Sequence, residues 1–145
     1  MDNNISCDTF FLYNHNMTED EITYQIRGGI YNVYKALGPG LLEGVYEEAL
    51  TYELQKRGLK VVRQQEVPIF YDGQQLQSQL RLDMLIEDTV IIELKSVQEL
   101  LPVHFKQTMT YLRLLHKHLG LLVNFNTDNI LKDSIHRVLN GYNPQ

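Results

Sequence analysis

The residues best suited to chemistry in this chain lie in the stretch "RLDMLIEDTVIIELKS", residues 81 to 96. Asp83, Glu93 and Lys95 interrupt two runs that otherwise have the apolar, β-branched character of buried strands. An ionised side chain is rarely buried without a partner, so such charges either lie on the wet side of an edge hairpin or serve a reaction. Side chains two apart share a strand face. In the later run Val90, Ile92 and Leu94 share one face, and Thr89, Ile91, Glu93 and Lys95 the other. In the earlier run Leu80, Leu82, Met84 and Ile86 share a face, opposite Arg81, Asp83 and Leu85. Each strand thus has one wholly apolar side, and the charges gather near one end of the sheet. Neighbouring carboxylates repel, which raises a pKa or recruits a cation, and hard oxygen ligands favour Mg²⁺ or Mn²⁺. A lysine beside them can polarise a water or stabilise charge developing on a phosphate. The chemistry this set suits is metal-assisted phosphodiester hydrolysis.

The turn between the runs decides whether the acids can meet. A two-residue turn at Glu87-Asp88 pairs Leu82 with Glu93 and points Asp83 away from it. An odd loop over Glu87-Asp88-Thr89 sets Asp83 opposite Glu93 and Arg81 opposite Lys95, with the apolar faces coinciding. The odd register is expected, because it alone keeps both the core and the acid pair.

Two helices supply further candidates. In "LLEGVYEEALTYELQKRG" Glu43 and Glu47 stand one turn apart, above Leu50 and Leu54 on the same stripe, which suggests a face passing from cleft to core. The alternative is a solvated first turn whose acids complement the helix dipole. After Pro102, Leu101, Phe105, Thr108, Leu112, Leu115 and Leu119 form a core arc, with Lys106, Arg113 and Lys117 far round the wheel. Between these arcs Gln107 and Tyr111, four apart, are positioned to meet a ligand at the helix's shoulder, or else are a boundary glutamine and a core-lining tyrosine. His116-x-His118 puts two imidazoles on different faces and makes a poor zinc site. His15, His136 and the lone Cys7 have no partner in view, and no glycine-rich phosphate loop or Ser-His-Asp pattern is present.

The elements that must position these residues follow from periodicity. Residues 1–17 lack either period and are expected to be a flexible arm, with residues 18–145 a single domain. "TEDEITYQIRGGIYNVYKALG" opens with Thr18 and Glu21 in capping-box spacing and forms a first helix, broken by "GPG" at 38–40. The second helix ends at Gly58. Three strands follow, punctuated by Asp72-Gly73 and Glu87-Asp88, then a third helix to about His118 and a buried strand "GLLVNF". "SIHRVLN" is a strand or a helix. The order is α-α-β-β-β-α-β, a mixed α/β domain with a three-stranded meander and one crossover helix.

At 145 residues the chain suits one domain. No apolar run approaches the roughly 20 residues of a membrane span, and the acidic start "MDNNISCDTFF" lacks a signal peptide's basic flank. A cytoplasmic location is expected, with no membrane contact. A net charge of -5 argues against a non-specific nucleic-acid coat protein, though not against an enzyme with one local basic groove.

Together these motifs resemble the PD-(D/E)XK nuclease superfamily, and within it the small bacterial GxxExxY family. The naming motif stands as Gly40, Glu43 and Tyr46 in "GPGLLEGVYEEAL". "RLDMLIEDTVIIELK" is similar to the superfamily's Asp followed by Glu-x-Lys, and "HFKQTMTYLR" to the Gln-x-x-x-Tyr helix of its exonuclease-like branch. Leu82 stands where the superfamily's name has Pro. The resemblance spans roughly residues 20 to 140. It implies a restriction-endonuclease-like core, a divalent metal on Asp83 and Glu93 joined by Glu43 or Glu47, and Lys95 assisting catalysis. It implies a Mg²⁺- or Mn²⁺-dependent nuclease acting on DNA or RNA; a chain without a second domain would draw substrate preference from strand form or structure, or from a partner, and a homodimer or a protein partner is an expected assembly. The alternative is a catalytically inactive nuclease-fold binding or assembly module, favoured by the net charge and the small size.

Overall fold

Thr18 begins the first helix as its spacing requires. Its hydroxyl accepts the Glu21 N–H at 3.2 Å, and the Glu21 carboxylate accepts the Thr18 N–H at 2.8 Å. In the computed structural model, which describes residues 16–141, this helix is α1 (Glu19–Leu37), followed by α2 (Glu43–Lys56). Most of the expected arm, with Cys7 and His15, lies outside the described residues, but Met17 within it packs against the core. Gly29 lets the two helices close on each other, since a Cβ there would stand 2.8 Å from Leu54 Cδ2.

The strands are β1 (Val61–Tyr71), β2 (Gln74–Ile86), β3 (Val90–Lys95), β4 (Leu119–Asn124) and β5 (Ile135–Leu139); α3 (Pro102–Leu114) joins β3 to β4, and a single turn, α4 (Ile130–Asp133), precedes β5. They form one five-stranded sheet in the order β1-β2-β3-β4-β5. Only β3 and β4 run parallel, which is why a crossover helix must join them. The expected α/β architecture, a mixed sheet with a three-stranded meander flanked by helices, is present. Beyond the expected order, "SIHRVLN" contains strand β5, and α4 is an additional turn. The third helix ends at Leu114, short of His118. The Lys117 N–H turns back to Leu112 O at 2.9 Å and His116 adopts φ 53°, which frees Leu119 to enter the sheet. No helix among the described residues is long and apolar enough to cross a membrane.

The sheet separates two cores. α1 and α2 cover Met84, Ile86, Val90, Ile92 and Leu94 together with Leu121, Val123 and Phe125. α3 covers Leu82, Leu85, Ile91, Leu122 and Val138. Leu80 and Leu82 therefore do not share the face of Met84 and Ile86, as uninterrupted alternation required. The break lies at one place. β1 and β2 keep a constant register from Val61↔Ile86 to Val67↔Leu80, but the Gln64–Asp83 position between Arg63↔Met84 and Gln65↔Leu82 is left unpaired. Gln64 takes φ 51° there, and the side chains of β2 change faces across Asp83.

The hairpin β2–β3 has the odd register. Ile86 pairs with Val90 and Met84 with Ile92, which carries Asp83 opposite Glu93. Glu87 and Asp88 adopt φ 52° and 50°, the Thr89 N–H bonds to Ile86 O at 2.9 Å, and Thr89 is the third loop residue that makes the count odd. The ladder ends at Met84↔Ile92, so Arg81 does not pair with Lys95 and instead donates to Glu66 on β1 at 3.1 Å.

Candidate active site

Where the β2–β3 ladder ends, the two acids take over its hydrogen bonds. Glu93 Oε1 accepts the Asp83 N–H at 3.0 Å, and Asp83 Oδ2 accepts the Leu94 N–H at 2.8 Å. Each carboxylate thus reaches across to the other strand's backbone, held in place with its second oxygen left over. Glu93 is buried and Asp83 half-buried. Burial, followed by the nearby Asp83 charge, pushes the Glu93 carboxyl up to about 8. Asp83 is raised chiefly by burial, against the lowering effect of its bond from Leu94 N–H, with Glu47 adding to the rise. The site therefore holds two acids that resist being ionised together, and a cation would relieve the strain.

Lys95, next but one after Glu93 on β3, donates from Nζ to Gln107 Oε1 at 3.3 Å. Gln107 Nε2 donates to the Tyr111 hydroxyl at 3.2 Å, and that hydroxyl donates to the Arg81 carbonyl at 3.1 Å. The structure brings Lys95, Gln107 and Tyr111 into one chain of hydrogen bonds that ends on β2, two residues before Asp83. Tyr111 is buried in the α3-side core while Gln107 is exposed. Burial raises the Tyr111 phenol above its ordinary value, and the Glu93 charge adds to this, so the hydroxyl remains a donor.

The α2 acids differ from each other. Both line a cavity of about 150 Å³ with Gly44, Gln64, Asp83 and Leu94. Glu47 is buried and taken up by β1: Oε2 accepts Arg63 Nη2 at 2.8 Å and Nε at 3.1 Å, and Oε1 accepts Gln64 Nε2 at 2.6 Å. Glu43 is exposed at the mouth, with one long contact from the Ser96 N–H at 3.4 Å. No group of three or more His, Cys, Asp or Glu among the described residues is gathered as a metal-holding cluster. The donors are all hard oxygens, which suits Mg²⁺ or Mn²⁺ and not a soft metal.

The spacing of Gly40, Glu43 and Tyr46 has a physical basis. Gly40 takes φ 96°, which other residues avoid. The Tyr46 ring stacks on Phe125 at 4.3 Å. Its hydroxyl donates to Gly38 O at 2.6 Å and accepts the Leu41 N–H at 3.1 Å. Ser96 Oγ donates to Leu41 O at 2.5 Å, tying the same loop to the end of β3. Tyr46 thereby sets the loop that delivers Glu43 to the cleft.

Sequence reasoning missed Arg63 and Gln64. Their only sequence signal is the polar run Arg63-Gln64-Gln65-Glu66 between Val62 and Val67, which marks neither the face change opposite Asp83 nor the contact with Glu47. Conversely, His118 and His136 are engaged away from Asp83 and Glu93: His118 bonds to Glu19 at 2.8 Å and His136 to the Asp133 carbonyl at 2.8 Å.

No curated protein and no solved structure matches the chain. The family model of the PD-(D/E)XK nuclease superfamily matches residues 20–138. The five-stranded mixed sheet flanked by helices is consistent with the restriction-endonuclease-like fold. Because the match runs from α1 into β5 and takes in the acid pair, Lys95 and α3, the chain belongs to the PD-(D/E)XK nuclease superfamily.

Proposed function

We propose that this chain is a divalent-metal-dependent nuclease, using Mg²⁺ or Mn²⁺ to hydrolyse phosphodiester bonds of DNA or RNA, and that it falls within the GxxExxY group of its superfamily. The observation that carries this reading is the reciprocal pair of half-buried Asp83 and buried Glu93, reluctant to ionise twice, with Lys95 two residues from Glu93 and aimed by Gln107. Superfamily membership, with its nucleic-acid substrates and general use of divalent ions, supports it independently.

Asp83 and Glu93 would hold the ion through the oxygens that their backbone bonds leave over. Glu43 is the better third ligand of the two α2 acids, since Glu47 already accepts a guanidinium and an amide. A bound divalent ion supplies Lewis-acid polarisation of the phosphate and lowers the pKa of a bound water. Lys95 is placed to orient the attacking water or to stabilise charge growing on the phosphate oxygens. Gln107 fixes the Lys95 ammonium, and the Tyr111 hydroxyl, anchored on Arg81 O, fixes Gln107. Glu47, clamped to Arg63 and Gln64, holds β1 where the ladder skips and keeps Asp83 turned into the cleft.

The test is incubation of purified protein with single- and double-stranded DNA and RNA in Mg²⁺ or Mn²⁺, with EDTA and Lys95→Ala controls. Cleavage that requires both the metal and Lys95 is the expected result. Cleavage that persists in Lys95→Ala, or none on any substrate, removes the proposal.

A further inference from the structure

The substrate must continue beyond the acid pair, and the distribution of charge favours one side of the sheet. Between Glu99 and Asp128 the chain has no Asp or Glu, yet it carries Lys106, Arg113 and Lys117. The opposite face is covered by α1 and α2, which carry Glu19, Asp20, Glu21, Glu43, Glu47, Glu48 and Glu53 against Arg27, Lys35 and Lys56. A polyanion is repelled from the second layer and tolerated on the first.

Five of the cations near these elements already have a carboxylate among the described residues. Glu53 takes Lys56 and Arg57, Glu47 takes Arg63, Glu66 takes Arg81, and Asp88 takes Lys117. Lys106 and Arg113 are exposed and make no ion pair among the described residues. With Thr110 they occupy positions i, i+4 and i+7, one stripe along α3. The stripe is ordered by its own bonds: Thr110 Oγ1 donates to Lys106 O at 2.9 Å, and Arg113 Nη2 donates to Thr110 Oγ1 at 3.4 Å. On the opposite side of α3, Thr108 and Leu112 are buried. On its shoulder stands Gln107, the residue that receives the Lys95 ammonium. The first turn of α3 contains no acid, whereas that of α1 contains three, Glu19, Asp20 and Glu21. The positive end of the α3 dipole is therefore left without a carboxylate of its own.

We propose that the nucleic-acid strand runs from Lys95 along the outer face of α3, with its backbone phosphates against Lys106 and Arg113. This rests on the nuclease reading and adds the substrate's path to it. The contacts are to phosphates, so the track supplies affinity and orientation and leaves base preference open.

Two measurements on the full chain test it: binding of a labelled single-stranded DNA or RNA oligonucleotide in EDTA across a salt titration, and steady-state cleavage in Mg²⁺. Lys106→Ala/Arg113→Ala is expected to weaken binding at least tenfold at low salt. It should flatten the dependence of log K on log salt by about 1.4, at about 0.7 per lost phosphate contact, and raise KM with kcat little changed. Lys35→Ala on α1 should change none of these, and both variants should melt with the parent, since Lys35, Lys106 and Arg113 are exposed and exposed substitutions cost under about 0.5 kcal/mol. A parent that cleaves while the α3 variant keeps its KM and salt slope, or while the α1 variant loses as much, overturns the track alone. A parent that neither binds nor cleaves nucleic acid overturns the track and the nuclease reading together.

Discussion

Glu53 on α2 and Glu93 on β3 are both buried acids, 8% and 3% exposed, in opposite surroundings. Glu53 accepts Asn32 Nδ2 at 3.0 Å, Arg57 Nε at 3.2 Å and Lys56 Nζ at 3.1 Å. The Asn32 bond, with Lys56 next, holds its carboxyl below the usual range. Glu93 has one backbone N–H and another carboxylate for company, and its carboxyl rises to about 8. The same residue type therefore ties two helices together in one place and stores repulsion in the other. A buried acid that one backbone N–H and the Lys95 charge compensate only in part is suited to an external cation.

The largest separation should come from neutralising each acid in turn. Glu93→Gln is expected to lower cleavage at least 100-fold, the scale on which one electrostatic contact to a transition state acts, while raising the melting temperature of the metal-free protein at pH 8. A destabilised Glu93→Gln would mean that the pair is structural. Glu53→Ala should do the reverse, costing about 1–3 kcal/mol in denaturant unfolding by stranding Arg57 and Asn32, with kcat unchanged in the folded fraction.

A cation is expected to act on one acid group and not the other. Mn²⁺ should raise the melting temperature of the parent by mass action, increasingly as its concentration exceeds the dissociation constant. The shift should largely vanish in Asp83→Asn and persist in Glu53→Gln. Equal shifts in parent and Asp83→Asn would place the ion elsewhere.

The two acids should also give stability opposite slopes with pH. The folded pKa of Glu93 lies above its unfolded value of 4.5, so its contribution is complete below about pH 4.5 and is lost as pH rises through about 8. The folded pKa of Glu53 lies below 4.5, so its contribution is present above that value and is lost on acidification. Metal-free Glu93→Gln should therefore gain on the parent with rising pH, a tenfold difference in proton affinity between folded and unfolded chain being worth about 1.4 kcal/mol, while Glu53→Gln should lose on the parent. Parallel curves for the two variants would remove the distinction.

The smallest effect concerns α3. Gln107→Ala should reduce cleavage roughly tenfold through a loosened Lys95, with stability within about 0.5 kcal/mol of the parent, because Gln107 is exposed and the Tyr111 hydroxyl it reaches keeps its bond to Arg81 O. A large loss of stability without loss of activity would make it a structural boundary residue.

Much of this was legible in one dimension, because short-range physics sets it. The capping box at Thr18, the glycine breaks around the first two helices, the alternation of β3 and the odd β2–β3 register follow from backbone preference and from the need to bury one face. So does the gathering of Asp83, Glu93 and Lys95, which need only a hairpin to meet. Periodicity is silent where an element is ended or bent by something far away in sequence. α3 stops at Leu114 because Leu119 must join β3 in parallel register. β2 changes faces at Asp83 because Gln64, nineteen positions earlier by numbering, leaves the ladder and bonds to Glu47 on α2. The residue types determined that two acids and a lysine on neighbouring strands would gather near one end of the sheet, and that an acid-free helix would follow them. Only the packing of α2 on β1 decided which acid is already neutralised and which stays open. That choice depends on contacts between residues separated in the chain, whose energies no local pattern records.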